Sequence, residues 1–286
     1  MIYEKQNIGL VIPPNTYLFS PWAYNYYFTE LLRGSIAAAS LMGWNILIYH
    51  RGLSGEQSYA MFQEKSEVDG MVVLSPKLSK MEIKELKSLN KPLIIINGRY
   101  PGISFTDSDN IKGAQEAVNY LIKKGHKKIA VINGKISSIN GAHRYEGFKK
   151  AMSSKKIEIK DRLVRYGDFT EDSGYLETKE LLKIDAGDQP TAVFCANDLM
   201  AVGALKALKE KKKRVPKDVS VIGFDDLIIC AYTDPPLTTV RQPLFHLGKE
   251  AVINLISIIM EEKNPYQEII VKTRLIERES VAPPKK

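Results

Sequence analysis

Short apolar runs alternate with segments of helical period along the whole chain. The runs fall at residues 8–12, 44–49, 69–75, 93–97, 128–133, 163–166, 191–195, 219–224 and 269–276. Several are apolar at nearly every position, the mark of strands buried on both faces as in a parallel sheet. Between them, apolar residues recur at i, i+3, i+4 and i+7, which predicts amphipathic helices. The first is expected to follow an aromatic-rich loop over residues 15–28 and to turn Leu31, Leu32, Ile36 and Ala39 inward, with Gly43 as its stop. Further helices are expected over 55–67, to about Asn90, around Ala114–Ile122, around Arg144–Ala151, over 171–183, after Asp198 and over 244–260. Strand and helix alternating in this way specify α/β architecture, a parallel sheet covered on both sides.

The segment 189–243 carries the clearest β-α-β unit. A strand at 191–195 leads into Asn197-Asp198, a pair suited to capping a helix. Ala201, Val202, Leu205 and Leu208 form that helix's inner stripe, and a basic turn with Pro216 ends it. The next strand, 219–224, stops at Asp225-Asp226. Open α/β sheets bind ligands outside the carboxyl ends of their strands, so Asn197 and Asp225 are candidate ligand-holding residues. Asp109 precedes a helix and Arg144 lies in one; together these four offer a carboxylate, amide and guanidinium set suited to adjacent hydroxyls. For Asn197 and Asp109, helix capping accounts for the same positions. Phe169, in the loop 167–169, offers a flat apolar face or simply a plug beneath the loop.

Composition narrows the function. A chain of 286 residues accommodates two α/β lobes, each with its own core. With 44% hydrophobic and 26% charged residues it reads as soluble and globular; no apolar run reaches membrane-spanning length, and the first residues lack the features of a secretory signal. Cys195 and Cys230 lie in apolar stretches, as expected of reduced thiols in a cytoplasmic protein. The net charge of +8 sits in lysine pairs and in the run 209–214, mostly on polar helix faces, with no aromatic platform beside them. That charge alone does not specify nucleic-acid binding. There is no G-x-G-x-x-G after the first strand, no P-loop and no H-E-x-x-H, and His50, His126, His143 and His246 have no metal-ligand spacing. No catalytic residue, cofactor or metal is therefore expected. His126, after a helix-ending glycine, reads as structural.

Three strings in order, PTAVFCAND, VPKDVSVIGFDD and PPLTTVRQP, closely resemble the effector-binding region of LacI/GalR-type bacterial transcription regulators. NIGLVIP, YFTELLRGSIAAASLMGWNILIY, DGMVVLSP, SDNIKGAQEAVNYLIKKGHKKIAVING, RYEGFKKAM, GDFTEDSGY and LIERESVAP extend the likeness over the whole length. The resemblance implies two doubly wound parallel-sheet lobes of the periplasmic binding protein type I kind, with the ligand in a cleft between them and three crossovers. These are placed near Asp109-Asn110, Arg241-Gln242 and Asn264-Pro265, giving lobes of 1–109 with 242–264 and of 110–241 with 265–286. It also implies ligand contacts for Asp109, Arg144, Asn197 and Asp225, a stacking role for Phe169, and cleft positions for Tyr27 and Phe28. Tyr17, Phe19 and Trp22 are extra aromatics without a counterpart in that pattern.

The function implied is that of a small-molecule sensor, with a mono- or disaccharide as effector and lobe closure changing DNA binding by a homodimer. Members carry a helix-turn-helix headpiece ahead of the IGLVIP segment; this sequence starts only a few residues before it, so operator DNA is expected to be engaged only through a headpiece it lacks. A solute-binding protein of a sugar transporter is the alternative with the same fold. One departure stands out: Lys212 occupies a helix-ending position where the family pattern has glycine, so the turn there is expected to differ.

Overall fold

The structure, a computed structural model, describes residues 6–12, 24–50, 67–75, 78–260 and 266–285. The expected helix at 55–67, up to residue 66, and the aromatics Tyr17, Phe19 and Trp22 lie outside the described residues. The chain forms two compact units, one from the described parts of Met1–Ser108 and Pro243–Val271, the other from Asp109–Gln242 and Lys272–Lys286.

The first unit comprises β1 (Asn7–Ile12), α1 (Tyr24–Leu41), β2 (Asn45–His50), β3 (Gly70–Leu74), α2 (Lys80–Ser88), β4 (Leu93–Ile96), β5 (Ser104–Ser108), α7 (Leu244–Ile259) and β11 (Glu268–Val271). Its strands run parallel in the order β11-β5-β4-β3-β1-β2. Successive side chains of a strand face opposite ways. Ile8, Leu10, Ile12, Val72, Leu74, Ile94 and Ile96 accordingly pack with Leu31 of α1 and with Leu247 and Leu255 of α7. Val11, Met71, Val73 and Ile95 pack on the other face against Leu86 of α2. This two-sided burial is why the strands read as unbroken apolar runs. Helices α1 and α7 approach backbone to backbone, since a Cβ on Gly34 would stand 1.9 Å from the Phe245 carbonyl oxygen.

The second unit comprises α3 (Asn110–Lys123), β6 (Ile129–Asn133), α4 (Ile139–Ser154), β7 (Val164–Tyr166), α5 (Glu171–Leu181), β8 (Ala192–Cys195), α6 (Asp198–Glu210), β9 (Ser220–Ile222), β10 (Thr239–Arg241) and β12 (Arg274–Ile276). A parallel sheet in the order β7-β6-β8-β9 is joined by an antiparallel pair, β10 with β12. Ile129, Val131, Phe194 and Ile222 meet Ala117, Leu121 and Phe148 on the α3–α4 face.

Three expectations need correction. The apolar run 269–276 is two strands: β11 pairs with β5 in the first unit and β12 pairs with β10 in the second. The chain therefore leaves the first unit after Val271, rather than near Asn264-Pro265. Helix α1 starts at Tyr24, so Tyr27 and Phe28 are helical residues and not part of a loop. Ile36, expected inward, is 45% exposed, while Leu31 and Ala39 are buried.

Lys212 does not change its turn. Its φ of +54° lies in the left-handed region, and the turn keeps both bonds of a Schellman motif, Lys212 N–H to Lys209 O at 3.0 Å and Lys213 N–H to Leu208 O at 2.9 Å. A residue with a Cβ is strained there by about 1 kcal/mol relative to glycine. Lys212→Gly is therefore expected to raise unfolding free energy by about 1 kcal/mol, read as a higher urea midpoint at unchanged slope. Unchanged or lower stability would show that Lys212 compensates its strain by contacts of its own.

His126 is structural, as read. It is 1% exposed, with Nδ1 2.9 Å from the Thr191 hydroxyl and Nε2 2.9 Å from the Ala282 carbonyl oxygen. A carbonyl only accepts, so Nε2 carries the proton and Nδ1 accepts from Thr191. Burial holds its pKa below the ordinary histidine value. The ring thus pins the carboxyl-terminal segment to β8 in the neutral state.

Candidate functional site

At the carboxyl edge of the second unit's sheet, groups from three other segments meet Arg144. The arginine sits in α4, within the helix as its sequence pattern reads, and is 3% exposed. Its Nε donates to Asn110 Oδ1 at 2.8 Å, and one terminal nitrogen donates to the Ala196 carbonyl oxygen at 2.5 Å and reaches Asp225 Oδ1 at 3.4 Å. The guanidinium carbon lies 3.9 Å from the centroid of the Phe224 ring, a cation–π contact.

Asp225 follows β9 with φ of +131° and is 7% exposed. Its backbone is tied to β10, donating to Val240 O at 2.8 Å and accepting from Gln242 N–H at 3.3 Å. Gln242 Nε2 also donates to Asp225 Oδ1 at 2.6 Å. Burial is the main influence on this carboxyl and pushes its pKa up to about 7, against the opposing pull of Arg144. Arg144 and Asp225 had no evident sequence-local partner; the structure supplies each with the other.

Asn197 caps α6 through Oδ1, which accepts from Met200 N–H at 3.0 Å, while its Nδ2 donates to the Phe169 carbonyl oxygen at 2.9 Å. Capping is thus one of its roles, and the second bond fixes the loop that carries the aromatic ring. Phe169 has φ of +72°, and its ring lies over Gly134, where a Cβ would stand 1.9 Å from Phe169 Cζ. Only glycine at 134 leaves room for that ring. Asp109 is half-buried and caps α3, accepting from Lys112 N–H at 3.1 Å.

Asp198, fully buried beside Asn197, builds the loop beyond β9. Its carboxylate accepts from Leu227 N–H at 2.8 Å and from the Thr239 hydroxyl. Burial raises the pKa of this group and of the Cys195 and Cys230 thiols, which keeps both cysteines in the inert thiol form.

Sequence reasoning missed Asn110, Asn133 and Gln242 as members of this edge. Asn133 ends β6 fully buried, and neither its amide oxygen nor its amide nitrogen has a partner among the described residues; Gln242 Oε1 is likewise unpartnered. A buried unpaired amide costs on the order of 1–3 kcal/mol per group, so such atoms mark places where a bound molecule or water completes the bonding. The one sequence signal was an asparagine closing an otherwise apolar strand.

In the first unit, described by itself, Tyr27 and Phe28 pack edge to face with centroids 5.1 Å apart. The Tyr27 hydroxyl lies 3.3 Å from Ser75 Oγ and accepts from Asn97 Nδ2. Ser75 and Asn97 follow β3 and β4, so this hydroxyl stands at the carboxyl edge of that sheet, and Asn97 joins the residues that the pattern did not single out. Among the described residues no cluster of histidine, cysteine and carboxylate side chains could hold a metal, and no helix is long and apolar enough to cross a membrane.

Residues 118–281 match a family described as periplasmic binding protein-like domain. The HTH-type transcriptional repressor PurR of Serratia proteamaculans (strain 568) is 35% identical over 262 residues, covering 90% of this chain and 76% of that protein. The solved complex of the transcriptional regulator CelR with cellobiose superposes with a TM-score of 0.86 at 32% identity, over 96% of this chain and 85% of that one. A LacI family transcriptional regulator from Enterococcus faecium with bound ribose gives a TM-score of 0.82 at 28% identity, over 98% of this chain and 100% of that one.

Proposed function

Because this chain belongs to the LacI/GalR family of bacterial transcriptional regulators, whose effector-binding region it spans, we propose that its effector is a neutral carbohydrate held at the carboxyl edge of the second unit's sheet. The observation that carries the reading is the pairing of Arg144 with Asp225. The one buried cation of the edge is already balanced by a carboxylate, so an anionic effector would find no uncompensated charge there. What the edge does offer is neutral: the Asn133 amide, a donor and an acceptor together, and the Gln242 Oε1 acceptor, a set that vicinal hydroxyls can complete. Phe169 adds a flat face suited to the C–H side of a pyranose. The cellobiose and ribose bound by two relatives agree with this chemistry.

Tyr27 and Phe28, at the carboxyl edge of the first unit's own sheet, are further candidate contacts, and Asp109 is one through whatever its capping role leaves free. Effector binding acts on DNA affinity only through its differential affinity for the states of the two units. A homodimer would convert that difference into half-site spacing on operator DNA through headpieces preceding this region.

A calorimetric panel of mono- and disaccharides, purines and phosphorylated sugars is expected to give saturable binding for at least one neutral sugar. Binding of a purine or a sugar phosphate, with every neutral sugar silent, would refute the effector assignment and leave the family assignment untouched.

A further inference from the structure

At the opposite edge of the second unit's sheet lies a cavity of about 390 Å³ that the effector reading leaves unused. It opens between the carboxyl end of α6 and the turn at Asp234-Pro235, with Lys209, Lys212, Lys213 and Arg214 around it and Leu205 and Val215 on its apolar side. Asn197 and Asp225 stand at the other end of α6; thirteen residues of helix separate the two places by about 20 Å.

This pole concentrates the chain's excess charge. Residues 206–217 hold seven lysines and arginines against one acidic residue, Glu210, a local balance of +6 in a chain whose total is +8. Two of the nearby acids pair with cations of the cavity itself, Asp218 with Arg214 and Asp234 with Lys209, which leaves Lys212 and Lys213 as the cavity cations without an ion pair among the described residues. Glu210 accepts from the Tyr175 hydroxyl at 2.7 Å, on the α5 side. Asp218 is taken by Arg214, whose Nε lies 3.1 Å away, and by Lys285. Asp234 reaches Lys209 only at 3.6 Å, with both side chains exposed. Lys213 donates to a neutral group, Gln189 Oε1, at 3.2 Å, and Lys212 has no ion pair among the described residues. Cations at a helix carboxyl end complement its dipole, but that effect is satisfied within the last turn by Lys209 alone and does not call for a ring around a cavity.

We propose that this cavity binds a small molecule carrying two or more phosphate groups, independently of the effector. Its volume is that of a small-molecule site and not of a protein-docking face. Several lysines acting as point charges suit phosphate oxygens, each group bringing between one and two negative charges and several acceptors. Among the described residues no aromatic side chain lines the cavity, so they provide no stacking platform for a base.

Inorganic tripolyphosphate titrated calorimetrically into the intact chain is expected to bind saturably at one site, more weakly as salt rises. The double variant Lys212→Gly, Lys213→Gln removes two charges while relaxing the left-handed position, so a lost signal does not come from misfolding. It is expected to bind tripolyphosphate about tenfold or more weaker, with the effector affinity of the wild-type chain retained. Absence of tripolyphosphate binding to the wild-type chain at physiological salt, or equal binding by the variant, overturns the proposal. So does a DNA duplex of arbitrary sequence that displaces tripolyphosphate at equal phosphate concentration, an outcome that assigns the patch to nucleic acid.

Discussion

Asp225→Ala is expected to abolish measurable effector binding and to lower the unfolding free energy by about 3–5 kcal/mol. The size follows from what the carboxylate holds. Arg144 is 3% exposed, and removing its one acidic partner among the described residues leaves a buried cation with two neutral acceptors, Asn110 Oδ1 and Ala196 O. Breaking a buried pair from one side costs far more than the pair contributes, because the surviving charge keeps its desolvation penalty. Gln242 Nε2 loses its acceptor in the same change. Urea titration and effector calorimetry on one preparation measure both effects; wild-type stability in the alanine variant would show that the pair bears no structural weight.

The same residue makes a pH prediction with a definite sign. Its folded pKa is raised to about 7, whereas an unfolded aspartate titrates near 3.9. Between these values the folded chain retains a proton that the unfolded chain has released, so Asp225's contribution to stability falls as pH rises through that window and levels off above it. Effector affinity moves the other way. In the proposed site a sugar hydroxyl would donate to the ionised carboxylate, and the ionised fraction grows about tenfold between pH 6 and pH 8 for a group titrating near 7. Asp225→Asn should flatten this dependence. If the asparagine variant keeps the full slope, the titrating group is another.

Asp198→Ala is expected to cost about 3–5 kcal/mol in stability and to weaken effector binding without any contact to the effector. Its two oxygens accept from Leu227 N–H and from the Thr239 hydroxyl, and both donors are buried. Each stranded donor costs about 1–3 kcal/mol. The loop they hold begins at Asp225, so its displacement moves the carboxylate away from Arg144. Asp198→Asn keeps the shape and one acceptor, and should cost less than half as much, consistent with a carboxyl whose charge burial already disfavours. Equal losses in the alanine and asparagine variants would show that charge, not the two accepted bonds, is what the site needs.

How much of this was legible in the chain depends on the range of each interaction. Asn197 and Asp109 could be read as caps because a cap joins residues three apart, Asn197 to Met200 and Asp109 to Lys112. The parallel sheets were legible because burial on both faces imposes an apolar residue at nearly every strand position. Lys212 could be named as a misfit, yet its turn was misjudged: the Schellman bonds outweigh about 1 kcal/mol of local strain.

The sequence by itself thus determined the α/β alternation, the caps of α3 and α6 and part of the set of polar residues placed after strands. Only the tertiary structure decided which of them meet. Arg144 and Asp225 are 81 positions apart, and nothing local to either anticipates a partner at that distance. The run 269–276 shows the same limit. Its apolar pattern satisfies a strand in either sheet, and only pairing with β5 and with β10 divides it between the two units. Periodicity encodes which face of an element is buried, a property of neighbouring residues. The partner across that face is fixed by the competition of the whole chain for the same hydrogen bonds and the same buried space.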